Sequence, residues 1–221
     1  KVQYNNPLGT EKISSLLYKF SLPAIIGMTV NALYNVVDRI FIGNSPDLGA
    51  NGLAAITICF PAMIIMMSIG ILFGQGGATL FSISLGKGDI EKADKALGNS
   101  TSLLIILGLF IMIFGQVFLD KLLIIFGASE TVLPYAREYM RIILLGTLFQ
   151  VIGMGMNNFL RADGKPKLAM TTMFIGAGIN IILDPILIFG FNMGMSGAAI
   201  ATITSQFVSM VWSIYHFLKK D

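Results

Sequence analysis

Two carboxylates lie inside runs that are otherwise almost entirely apolar. Asp184 sits in "NIILDPILIF" (180–189), with no other charged side chain between Leu168 and Phe191, and Asp38 sits in "NALYNVVDRIFIG" (31–43). A carboxylate at the centre of a membrane helix costs about 2.5–3.5 kcal/mol on the insertion scale, so a functional role is its default reading. Each brings polar neighbours at helical spacing. Asn31, Asn35 and Asp38 are four and three apart, with Tyr34 four before Asp38. Asn180 precedes Asp184 by one turn, and Thr202 and Gln206 are related in the same way.

Depth strengthens the grouping. At 1.5 Å per residue, Asp38 lies about 8 Å from the nearer end of its helix, Asp184 and Thr202 about 10 Å, Asn35 about 12 Å, and Asn180 and Gln206 about 16 Å. Three helices therefore bring oxygen-bearing side chains to one level. Carboxylates, an amide carbonyl and a hydroxyl are hard oxygen ligands suited to a small cation. The same pair can instead hold a single proton, because two close carboxylates do not readily ionise together. Spacing leaves both open. The structural alternative is interhelical hydrogen-bond glue, worth about 0.6 kcal/mol on average. Arg39 also adjoins Asp38 as an ion-pair candidate, although it points about 100° away around the helix and can snorkel to the surface. Pro23 and Pro185 each remove a backbone hydrogen bond four residues back, at Lys19 and Ile181, and are the candidate hinges.

The elements that must position these residues follow from composition. The chain is 55% hydrophobic and 12% charged, where a soluble domain carries about a quarter charged residues. Apolar stretches of about 20 residues recur, each able to cross a ~30 Å hydrocarbon layer as a helix. The fold expected is all-α and integral to the membrane. Its six transmembrane spans run at about 16–43, 53–80, 100–119, 134–160, 168–191 and 196–218. The first is too long for a cleavable signal. Gly70, Gly74, Ala78, Ser82 and Gly86 recur every four residues and suit close helix packing. "GKGDIEKADKALG" (86–98) is expected as a short interfacial helix; its glycines lack the rest of a phosphate loop. A single cysteine, Cys59, excludes an internal disulfide, and a single histidine, His216, excludes a histidine metal cluster.

Charge gives orientation. Lys1, Lys12, Lys19, Lys87, Lys92, Lys95, Arg161, Lys165, Lys167, Lys219 and Lys220 fall on one side, against Lys121, Arg137 and Arg141 on the other. The positive-inside rule puts both termini in the cytoplasm and makes the net charge of +3 a topology signal, so no nucleic-acid partner is expected. An internal echo links "GANGLAAI" (49–56), after Asp38, with "GMSGAAI" (194–200), after Asp184. Each is a short glycine-bearing turn leading into an inward helix, the pattern of a transporter built from related hairpins.

The stretches "LPAIIGMTVNALYNVVDRIFIG" (22–43), "LGKGDIEKADKALGNS" (85–100), "NNFLRADGKPKLAM" (157–170) and "GAGINIILDPILIFGFNMGMSGAAIATITSQ" (176–206) resemble the multidrug and toxic compound extrusion (MATE) transporters, nearest their DinF/MepA-type branch. The resemblance implies twelve spans in two six-span lobes, of which this chain matches the amino-terminal one. The carboxy-terminal lobe is then missing, either cut away or supplied by another chain. It places Asp38, Asn180, Asp184 and Thr202 on the family's site for Na⁺ or H⁺. Asn31 and Tyr34 fall near the drug-facing cavity, to which Asn35 and Gln206 are added as candidates, and Pro23 falls on the bending proline. Arg39 stands where some members have an apolar or small residue. The function expected is cation-coupled antiport of amphipathic, often cationic drugs across the plasma membrane, with the bilayer as partner, no cofactor and no enzymatic chemistry. The rivals are a lipid-linked precursor flippase of the same superfamily and a half-size homodimeric channel or subunit.

Overall fold

In hydrocarbon every backbone N–H and C=O must find its partner within its own segment, which leaves these apolar runs the helix. The computed structural model describes residues 11–219, and the regular elements among them are all helical. They are α1 (Ile13–Asn44), α2 (Gly49–Gly86), α3 (Ile90–Val117), α4 (Leu119–Ile125), α5 (Leu133–Leu145) and α6 (Thr147–Ala162). Then come α7 (Pro166–Pro185), which runs on into a π turn (Ile186–Gly190), and α8 (Gly194–Leu218). Five are long and apolar enough to cross a membrane, and α5 with α6, bent by 54°, passes the same test as a pair and is the candidate for a sixth. Lys1 and Lys220, used above for orientation, lie outside the described residues.

Two expectations change. The separate interfacial helix over 86–98 does not exist; from Ile90 onward that stretch is the start of α3. Asp89 caps it, its Oδ1 accepting from Lys92 N at 3.0 Å, and Ala93 and Ala96 bury against Phe81 and Leu85 of α2. A capped helix with a buried face has no reason to break before the membrane. The second change is the bend in span four. The Thr147 hydroxyl donates to the Leu144 carbonyl at 2.7 Å, diverting an acceptor from the helical ladder. The bare Gly146 admits Ile203 of α8, where a Cβ would come within 2.3 Å of Ile203 Cγ2.

The small-residue stripe of α2 packs on α6 at two of its positions: a Cβ on Gly70 would lie 3.5 Å from Val151 Cα, and one on Gly74 only 2.6 Å from Gly155 Cα. Gly86 faces open space. α1 packs chiefly on α7, and α8 fills the centre against α5, α6 and α7. Only 11% of the most apolar window of α1 is buried, against 44% for α8, which puts α1 at the edge of the lobe.

The internal echo has a geometric counterpart. The α1–α2 and α7–α8 turns lie side by side, with Leu48 Cδ2 3.5 Å from where a Gly194 Cβ would stand. Both following helices open on a left-handed glycine, Gly49 at φ 43° and Gly194 at φ 53°. We call this the hairpin end, and the opposite face, which carries the first and last described residues, the terminus end.

The prolines behave differently. α1 continues through the buried Pro23. Pro185 is followed at once by the π turn, in which Phe191 N–H donates to the Ile186 carbonyl at 2.9 Å and Met193 N–H to the Leu187 carbonyl at 3.0 Å. That turn rests directly on α8, where a Cβ on Gly197 would meet the Leu187 carbonyl carbon at 2.9 Å.

Candidate functional site

The buried residues of α1 are Pro23, Gly27, Asp38 and Ile42, spaced to form one stripe whose only polar member is Asp38. Across the seam, α7 buries Asn180 and Asp184, both fully enclosed. From α8 comes Thr202, 6% exposed. Thus three helices bring Asp38, Asn180, Asp184 and Thr202 into the same interior.

The Asp38 and Asp184 carboxyls lie within hydrogen-bonding reach of each other. Asn180 Nδ2 donates to Asp184 Oδ1 at 3.4 Å, and the Thr202 hydroxyl donates to the Ala198 carbonyl at 3.0 Å. Of the four buried side-chain oxygens among the described residues with no hydrogen-bond partner, three are here: Asp38 Oδ1, Asn180 Oδ1 and Asp184 Oδ2. Buried acceptors are nearly always satisfied. A cluster of three that lacks donors is the coordination chemistry of a hard cation, or of a proton shared between carboxyls. The residues fit either.

The other candidates stand apart from this interior. Asn35 Nδ2 donates to the Asn31 carbonyl at 2.8 Å, and both asparagines are exposed on the edge of α1. Asn35 therefore does not join the carboxylates whose depth it approaches. Three residues of helix rotate it about 60° from Asp38, enough to leave the seam. Tyr34 is half-buried and within electrostatic reach of both carboxylates, and Gln206 is half-buried on α8. The Arg39 guanidinium lies over the Phe60 ring at 5.9 Å and forms none of the ion pairs among the described residues.

Two contributors escaped the sequence reading. Tyr139 of α5, 2% exposed, lies against Thr202 and within reach of Asp38, adding a fourth helix to the site. A tyrosine near a predicted span end reads as an interfacial aromatic, and only tertiary packing turns it inward. Asn157 of α6 donates to the Ala169 carbonyl at 2.8 Å and to Thr172 Oγ1 at 2.7 Å, and Ser209 donates to the Thr172 carbonyl at 3.1 Å. These bonds lock α6, α7 and α8 together. An amide inside an apolar span was the available signal.

A family model described as MatE matches residues 23–186. Multidrug export protein MepA of Staphylococcus haemolyticus is 35% identical over 209 residues, which cover 95% of this chain and 46% of that protein. The protein of the same name from Staphylococcus aureus is 34% identical over 202 residues, covering 91% and 44%. Among solved structures, a MATE protein in complex with MaD3S superposes with a TM-score of 0.91 at 32% identity, covering 100% of this chain and 49% of that one. An outward-facing multidrug resistance MATE transporter of the MOP superfamily gives 0.91 at 32%, covering 100% and 48%. The chain spans about half the length of the curated relatives it matches. With a family model spanning most of its length and relatives named as export proteins and transporters, this chain belongs to the MatE family, a family of transporters and not of enzymes.

Proposed function

We propose that this chain is the amino-terminal lobe of a cation-coupled multidrug exporter, with Asp38, Asn180, Asp184 and Thr202 binding the coupling Na⁺ or H⁺. The observation that carries the reading is the cluster of three buried oxygens without donors. Occupancy of that cluster satisfies them and favours one access state. A drug that binds the other state better then competes with the cation through the same equilibrium. Pro23 and the π turn after Pro185 flank the site on its two principal helices and are the places where α1 and α7 change shape. At the hairpin end, a cleft of about 360 Å³ lined by Asp47 and Glu138 reaches Ile188, one turn beyond Asp184, and gives a cation an acidic approach. Asn31, Tyr34, Asn35 and Gln206 belong to the drug-facing side, where amphipathic, often cationic compounds meet an apolar, methionine-rich wall. The basic terminus end faces the cytoplasm and the protein resides in the plasma membrane.

The test uses the full-length transporter in proteoliposomes with ethidium as the cationic substrate. Asp38→Asn and Asp184→Asn each abolish efflux driven by an imposed Na⁺ or proton gradient while the protein remains folded. Undiminished gradient-driven efflux in both variants would sink the coupling assignment.

A further inference from the structure

The terminus end carries a cleft of about 470 Å³ that the proposed transport cycle does not use. It opens where the α1–α7 seam reaches the end of the bundle. Pro23 and Gly27 are buried along that seam, and a Cβ on Gly27 would come within 2.5 Å of Met173 Sδ. Lys19, one turn before Pro23, forms one wall. Facing it are Lys165, Pro166, Lys167, Leu168 and Thr171, from the α6–α7 connection and the first turns of α7.

Three lysines, Lys19, Lys165 and Lys167, thus line the cleft together with Pro166 and Leu168. Lys19 Nζ is 2.8 Å from Glu11 Oε1, and Lys165 Nζ is 3.5 Å from Asp163 Oδ2 and 3.0 Å from His216 Nε2. Three lysines against two carboxylates leave an excess of positive charge. The Asp163 side chain, 1% exposed, is turned into the protein. The α7 N-terminus adds a partial positive charge with no side-chain cap to quench it. Towards the membrane centre the rim gives way to exposed apolar residues at helical spacing: Leu22 and Ile26 on α1, Phe174 on α7.

A cationic mouth above an apolar, membrane-facing slope matches one chemistry. We propose that this cleft binds an anionic phospholipid, its phosphate among Lys19, Lys165 and Lys167 and its acyl chains along α1 and α7. The lipid ties the part of α1 before Pro23 to the start of α7. The proposal rests on the membrane-spanning reading of the chain and is independent of the cation site.

Native mass spectrometry of the detergent-purified full-length protein tests it, with dioleoyl-phosphatidylglycerol, dioleoyl-phosphatidylcholine and inorganic phosphate as probes. The wild type retains phosphatidylglycerol in preference to phosphatidylcholine. Lys167→Gln weakens that retention about fivefold, and Lys165→Gln/Lys167→Gln by about that factor again. Lys167→Gln leaves the Asp163–Lys165–His216 cluster intact, so its effect is not a folding defect. Lys121→Gln, at the hairpin end, changes nothing. Asp184→Asn keeps the lipid, so that this site and the cation site fail separately. Equal retention of the two lipids, or unaltered retention by Lys167→Gln, overturns the proposal. Complete displacement by millimolar inorganic phosphate overturns the lipid in favour of a free-anion site.

Discussion

Asp184 is fully enclosed, with one carboxylate oxygen accepting a single long bond from Asn180 and the other accepting none. A buried charge without compensation is costly, and an amide of nearly the same shape carries none. Asp184→Asn should therefore raise the melting temperature of ion-free protein, by the equivalent of about 1–3 kcal/mol. It should also remove the rise in melting temperature that Na⁺ or added protons give the wild type. Thermal melts with and without Na⁺, repeated across pH, read both effects, and a variant that melts lower yet still responds to the ion contradicts the assignment. Tyr139→Phe keeps the ring packed and deletes only the hydroxyl beside Thr202. About 1 kcal/mol of lost hydrogen bonding corresponds to an ion affinity about fivefold weaker, measurable in the same melts. At this scale the sequence was legible wherever polarity contrasted with oil, as at Asp38, Asn180 and Asp184. It was not legible where rotation about a helix decides: Asn35 and Asp38 lie at similar depth, yet one faces its own helix and the other the seam.

Helical elements were legible because an apolar run of sufficient length has few other options in a membrane, and five of the six expected spans correspond to helices long and apolar enough to cross one. The 54° bend was not, because no proline marks it. It arises from Thr147 turning on Leu144 and from Ile203 pressing into the gap at Gly146, contacts between distant segments. The start of α3 was missed for a related reason: a charged stretch looks interfacial until its alanines are found against α2. The π turn yields a prediction at this scale. A Cβ on Gly197 would meet the Leu187 carbonyl carbon at 2.9 Å and the Ile188 nitrogen at 3.1 Å, and backbone cannot swing aside as a side chain can. Gly197→Ala should cost about 1–3 kcal/mol in thermal melts. Gly178→Ala, where no neighbour lies within 4 Å, should be neutral or gain up to about 1 kcal/mol of helix propensity. If both substitutions behave alike, the π turn does not bear on α8 as described.

At the scale of the whole molecule, burial is asymmetric. α8 is enclosed by its neighbours, whereas α1, which carries Asp38, leaves Leu33, Asn35 and Val36 exposed. In the proposed two-lobe exporter, the carboxylate-bearing α1 at the edge of this bundle is the helix that faces the second lobe. On that proposal the α1 edge lines a water-filled cavity, while the apolar edge of α3, with Ile106, Phe110 and Ile113 exposed, meets lipid. Cysteine labelling separates these surfaces, because the chain's only cysteine, Cys59, is buried. In the full-length transporter, Asn35→Cys should react with a membrane-impermeant maleimide at least tenfold faster than Ile106→Cys, since thiolate formation and reagent access both require water. Ethidium should slow the first reaction and leave the second unchanged. Equal rates at the two positions would place α1 against lipid and move the drug path elsewhere, and with it the argument that Asp38 reports to a cavity between two lobes.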